Sequence, residues 1–219
     1  MRGVFFLIAV LSTACTGGSE GGSAEEAALA EGVAATAKEE VVTQLFRVGG
    51  SAQVETEKNG SALVEATIEG VEGELHVQNV ETWQGLQGAV RVPVAAFNSG
   101  LELRDKRIQE VFLGGERWPN AVWEFSAPDG FGDALNVGET RTLVLPGQLS
   151  VGGGKADLAL ELSFTREGSR RYAVTTVKPA SISIAGLGLS EPLGRLIELC
   201  AHESVRDEVK LGVLATVTD

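Results

Sequence analysis

The chain is short of the residues from which most catalytic and metal centres are built. In 219 residues it has two histidines, His76 and His202, and two cysteines, Cys15 and Cys200. Cys15 falls within an N-terminal leader, so Cys200 stands alone in the folded part and no disulfide framework can form there. There is no C-x-x-C pair, no G-x-S-x-G, no H-E-x-x-H, no P-loop and no paired-carboxylate signature. The glycine run Gly152–Gly154 lacks the following helix that a phosphate loop needs. Positive charge is scarce as well. Eighteen Lys and Arg against 30 Asp and Glu leave a formal net charge of -12. A chain this acidic is repelled by phosphate backbones, which excludes a nucleic-acid role and argues against flat electrostatic docking on anionic lipid.

Long apolar runs are also missing. Val4 to Leu11 is the apolar part of the leader, far below the roughly 20 residues that span a bilayer. With Arg2 before it, residues 1–14 read as an export signal. The end of the leader, Leu11-Ser12-Thr13-Ala14-Cys15, resembles a bacterial lipobox, with Ser12 where leucine is usual. An ordinary signal peptide cut near Ala14 is the competing reading. On the lipobox reading Cys15 is lipidated and anchors the protein to a membrane, each buried CH₂ contributing about 0.8 kcal/mol. Residues 15–44 are rich in glycine, serine, alanine and glutamate and hold no aromatic residue before residue 45. They are expected to form a flexible tether that reaches on the order of 25–30 Å.

What is abundant is alternation. Ala62, Val64, Ala66 and Ile68 share a face, as do Val90, Val92, Val94 and Ala96, and Val209, Leu211, Val213, Ala215 and Val217. Leu45–Val48, Ser51–Glu57, Ala62–Glu69, Glu74–Val80, Gly88–Phe97, Ala121–Ala127, Glu139–Val144, Leu158–Phe164, Arg170–Val177, Ala180–Ile184 and Glu208–Val217 are expected strands, and Leu145–Val151 either continues the strand before it or opens the next. Turns are expected at Lys58-Asn59-Gly60, between Gly70 and Gly73, at Pro128-Asp129-Gly130 and at Gly152–Gly154. Two segments break the pattern. Leu101, Leu103, Ile108, Val111 and Phe112 are spaced nearer to a helix turn, and Leu193, Leu196, Ile197 and Cys200 share a helical face after Pro192. The composite is an all-β, antiparallel domain over residues 45–219, with about eight strands and one or two short helices.

The stretch from Phe97 to Phe125 carries a family resemblance. Asn98-Ser99-Gly100, then Arg104-Asp105 and Ile108, then Trp118-Pro119 and Phe125 resemble the hallmark of the YceI-like family of bacterial envelope proteins. Gly147, Leu149, Ser150, Val151 and Gly153 resemble that family's later hairpin, with Gln148 and Gly152 departing from it. The resemblance implies a lipocalin-like β-barrel around a long isoprenoid chain. It implies no cofactor beyond a bound polyisoprenoid or quinone-type lipid; that no catalytic residue and no metal ligand is expected rests on the missing motifs. Together with the lipobox-like Leu11–Cys15, it gives an expected location in the cell envelope, as a membrane-anchored lipoprotein facing the periplasm.

If one face of each strand points inward, Val90, Val92, Val94, Phe112, Trp123, Phe125 and Leu160 are candidates to line a tunnel. A barrel filled by its own side chains fits the same pattern, and it would leave a tethered module for protein partners. A homodimer also stays open. Arg104 and Arg107 are candidates for a polar head group; a structural Arg104–Asp105 pair is the plainer role, and the family commonly has histidine at Arg107. His76 reads as a surface residue and Trp83 as a core plug rather than a lid. Cys200 and His202 are two apart and diverge on a helix, so a thiolate nucleophile is set aside in favour of a buried, inert thiol.

Overall fold

The expected turn at Gly70–Gly73 does not form. The computed structural model describes residues 43–219, and in it strand β2 (Ala62–Val77) runs unbroken alongside β1 (Gln44–Lys58). Gly50 pairs with Val71 and Ser51 with Glu69, so Gly70 is the extra residue of a β-bulge. Its φ of 74° is a conformation that glycine adopts without a Cβ penalty. The bulge switches the parity of the inward face. Val64, Ala66 and Ile68 point in before it, and Val71, Leu75 and Val77 after it. Two short strands expected on the β1 side are likewise one. The leader, Cys15 and the tether through residue 42 lie outside the described residues.

Strand β3 (Leu86–Pro93) stops at its proline rather than at Phe97, and Val94–Ala96 make a single 3₁₀ turn. The two-residue β4 (Phe97–Asn98) then pairs with β2. Helix α1 (Glu102–Arg107) continues as a π turn over Ile108–Phe112, where Leu113 N donates to Ile108 O at 2.9 Å. After Pro119 come β5 (Asn120–Ala127), β6 (Thr140–Val151) and β7 (Gly154–Arg166). Pro146 sits inside β6, one residue beyond its last pairing with β5, so its missing N–H breaks no ladder bond to that strand. Strands β8 (Arg171–Thr176) and β9 (Ala180–Ser183) lead into α2 (Ser190–Cys200) and β10 (Glu208–Thr218).

All pairings are antiparallel, in the order β1, β10, β8, β7, β6, β5, β3, β2, and β2 pairs back to β1. Strands β8 and β9 share one position beside β10, so the closed barrel has eight. Closure removes every free edge from the cylinder.

The two ends of the barrel differ. At one end, Phe46, Trp83, Phe164 and Tyr172 are buried against one another, with Phe131 beside them. Trp83 has 0 % exposure and T-shaped contact with Tyr172 at 4.8 Å, so it is the plug that its loop position suggests. Chain entry and exit lie here, where Arg170 bonds both Gln44 and the terminal Asp219. At the other end, α1, the π turn and α2 lie across the opening.

Candidate ligand-binding cavity

Below the helices the barrel is hollow. The centre of a water-sized sphere is free to move through about 230 Å³. The floor includes Trp123, which stacks on Phe125 at 4.2 Å between ring centroids. The walls are small and branched: Ala52, Val54, Ala66, Val92, Val209 and Val213 among others. The roof is supplied by Ile108, Phe112 and Leu113 of the π turn and by Leu193 and Leu196 of α2.

Six of the seven apolar candidates line this hollow: Val90, Val92, Val94, Phe112, Trp123 and Leu160. Phe125 does not. It faces a separate void of about 40 Å³ toward the closed end, behind Trp123. The alternation placed Phe125 on the inward face, but alternation does not report depth along the barrel.

The polar side chains of the cavity gather at its mouth. They are Thr56 and Lys58 at the end of β1, Arg104 of α1, Cys200 at the end of α2, and His202 beyond it. Arg104 has two roles. Its Nε donates to Ser99 Oγ at 2.6 Å and its Nη2 to Ser99 O at 2.8 Å. Ser99 in turn donates through its N–H, at 3.0 Å, and through its hydroxyl to the buried Asp105. Asn98 Oδ1 accepts from Gly100 N at 2.8 Å and closes the turn. The Asn-Ser-Gly and Arg-Asp elements are thus one hydrogen-bonded unit that fixes α1 over the barrel.

Arg107 is not part of the cavity wall. Its Nη1 lies 3.6 Å from Cys200 Sγ and ties α1 to α2. Lys106 points outward and pairs with Glu110. Cys200 is therefore not the buried thiol expected. It is half-exposed and looks onto the mouth, because α2 ends there with Ala201 at a φ of 50°. The ring of His202 is held below the ordinary histidine value, first by partial burial and then by the nearby charges of Lys58, Arg104 and Arg107. His76 is half-buried on the outer side of β2.

Trp118 explains another element of the pattern. Its ring covers Gly153 in the β6–β7 hairpin, where an added Cβ would come within 2.5 Å of the indole. It packs equally against Gly114, just after the π turn. One aromatic side chain thus locks the hairpin to the roof.

A model of the YceI-like domain matches residues 44–217. The chain belongs to the YceI-like family. Among solved structures, this YceI-like barrel is similar to a polyisoprenoid binding domain from Saccharophagus degradans implicated in plant cell wall breakdown. The identity is 15 %, the TM-score 0.68, and the match covers 79 % of this chain and 97 % of that one. It is also similar to BcnA of Burkholderia cenocepacia, at 10 % identity and a TM-score of 0.56, over 76 % of this chain and 95 % of that one. No curated protein matches. At these identities the likeness is one of fold.

Sequence reasoning missed Lys58 as a mouth residue and weighed His202 only as a partner for Cys200. The signal for Lys58 is its position at the last residue of β1, before Asn59-Gly60. No sequence signal links it to Arg104, because the two meet only through closure of the barrel.

Proposed function

We propose that this YceI-like barrel binds the chain of a long isoprenoid lipid, without catalysis, in the bacterial cell envelope. The observation that carries this reading is the hollow itself: about 230 Å³ of apolar space, open at one end, with every polar lining group at the mouth. A hydrocarbon tail leaves water there at roughly 25 cal/mol per Å² of buried apolar area, while a polar head stays at the rim. The polyisoprenoid binding described for the Saccharophagus degradans relative supports the same ligand class. The lipobox-like Leu11–Cys15 supports a membrane-anchored lipoprotein facing the periplasm.

Native mass spectrometry of the protein purified without detergent from its host's envelope tests the reading. The expected result is a mass excess matching a polyprenyl or quinone species that leaves on organic extraction. A clean apo mass, with no uptake of added polyprenoids, would sink it and leave a tethered protein-interaction module.

A further inference from the structure

The roof has two faces. Its inner face lines the hollow with Arg104, Ile108, Phe112 and Leu196. Its outer face leaves large apolar side chains in solvent. Leu101 and Leu103, at the start of α1, are 58 % and 63 % exposed, and Leu199, in the last turn of α2, is about half exposed. Leu63 joins them at the rim, since it pairs with Glu57 beside Lys58, and it too is about half exposed. Elsewhere such residues stand apart: Val144 and Leu214 lie on β6 and β10, with β7 and β8 between them. Grouped exposed leucines mark a surface that is covered in use.

Charge also sets this end apart. Over residues 101–118, Arg104, Lys106, Arg107 and Arg117 balance Glu102, Asp105, Glu110 and Glu116, so the stretch is neutral in a chain of net charge -12. A bilayer surface, neutral or anionic, repels the acidic remainder of the chain but not the roof. We propose that the outer face of the roof is a membrane-contact surface: Leu63, Leu101, Leu103 and Leu199 enter the boundary between head groups and acyl chains and seat the open end on a bilayer. This rests on the lipid-binding reading above and states how the ligand arrives, its tail passing from bilayer to hollow without crossing water. The connection to the leader permits it. The chain enters the barrel at Gln44, at the closed end. Residues 15–43 extend to at most about 95 Å, whereas the 15 residues of β1 rise about 50 Å. An anchor at Cys15 therefore leaves the roof able to reach the membrane that holds it.

The test uses the chain from residue 15 on, with Cys15→Ser so that no lipid anchor takes part, and phosphatidylcholine vesicles with or without phosphatidylglycerol. Co-flotation with the vesicles is the readout. The parent protein is expected to float with both, and added salt should change this little, because the contact is apolar. Leu101→Ser, Leu103→Ser and Leu199→Ser together should weaken partitioning roughly tenfold or more. Val144→Ser, Val177→Ser and Leu214→Ser together, at similarly exposed sites off the roof, should stay within about twofold of the parent. All three proteins should take up geranylgeraniol from solution alike, since none of these side chains lines the hollow. A parent protein that ignores vesicles, or a roof variant that floats as well as the parent, would overturn the membrane contact and leave the leucines to a protein partner. An equal loss in the second variant would overturn it too, by making the roof no different from the wall. Flotation through the roof with no geranylgeraniol uptake by any of the proteins would keep the contact and sink the lipid-binding reading.

Discussion

The two halves of this barrel are built from the same eight strands with the same alternation, yet one is solid and the other hollow. The difference lies in the size of the inward side chains along each strand. On β1 the inward residues run from Phe46 and Val48 at the closed end to Ala52 and Val54 at the open end. Strand β7 ends and β8 begins among the aromatic residues, with Phe164 and Tyr172, whereas β10 enters the hollow with Val209 and Val213. Fold and stability are thus concentrated at one end and space for a ligand at the other. The comparison can be broken by moving bulk between the halves.

The largest effect is expected from Trp83→Ala. Trp83 has no exposed surface and touches Phe46, Phe131, Phe164 and Tyr172, so its loss should cost about 3–5 kcal/mol. Val92→Ala in the hollow should cost about 1 kcal/mol or less, because that wall already borders empty space. Urea unfolding of both variants checks this, and equal losses would mean that the halves do not differ. Adding bulk should keep the same order. Val77→Trp, at a site with 0 % exposure, should cost about 3 kcal/mol or prevent folding. Val92→Trp should fold normally, since the hollow accepts the ring, and should abolish lipid uptake. Wild-type uptake in a folded Val92→Trp protein would show that the ligand lies elsewhere.

Asp105→Ala should have a smaller effect, about 1–3 kcal/mol, by leaving the Ser99 N–H without its acceptor. Because Ser99 also holds Arg104, this variant is expected to loosen α1 over the mouth without touching the aromatic end. Hydrogen exchange that speeds up at α1 and stays slow at Trp83 would confirm that the halves are energetically separate. Uniform acceleration would show one cooperative unit.

How much of this was legible in the sequence depends on the range of the physics involved. Alternation is local, so the strands and most inward faces could be read, and α1 and α2 showed in the helical spacing around Ile108 and Leu196. The Gly70 bulge could not be read, because a glycine in a strand and a glycine in a turn look alike without a pairing partner. The hollow was equally hidden, since a wall of Val and Ala forms a filled core or a cavity according to barrel diameter. The YceI-like motif was legible as a pattern, but its chemistry was not. Only the folded chain shows Asn98-Ser99-Gly100 and Asp105 as a hydrogen-bonded brace and Trp118 as a clasp on Gly153.

The smallest effect concerns His202, at the open end of the barrel. In the free protein its ring is held below the ordinary value by partial burial and by Lys58 of β1 and Arg104 and Arg107 of α1, while the neighbouring Glu203 is exposed. A histidine with a lowered folded value contributes stability that is present above the unfolded value, near pH 6.5, and is lost as pH falls through the folded value. The free wild-type protein should therefore lose more stability between pH 7 and pH 5 than His202→Gln does, as read from urea midpoints. Equal pH dependence of the two free proteins would show that burial and the nearby cations act too weakly on the ring to lower its value.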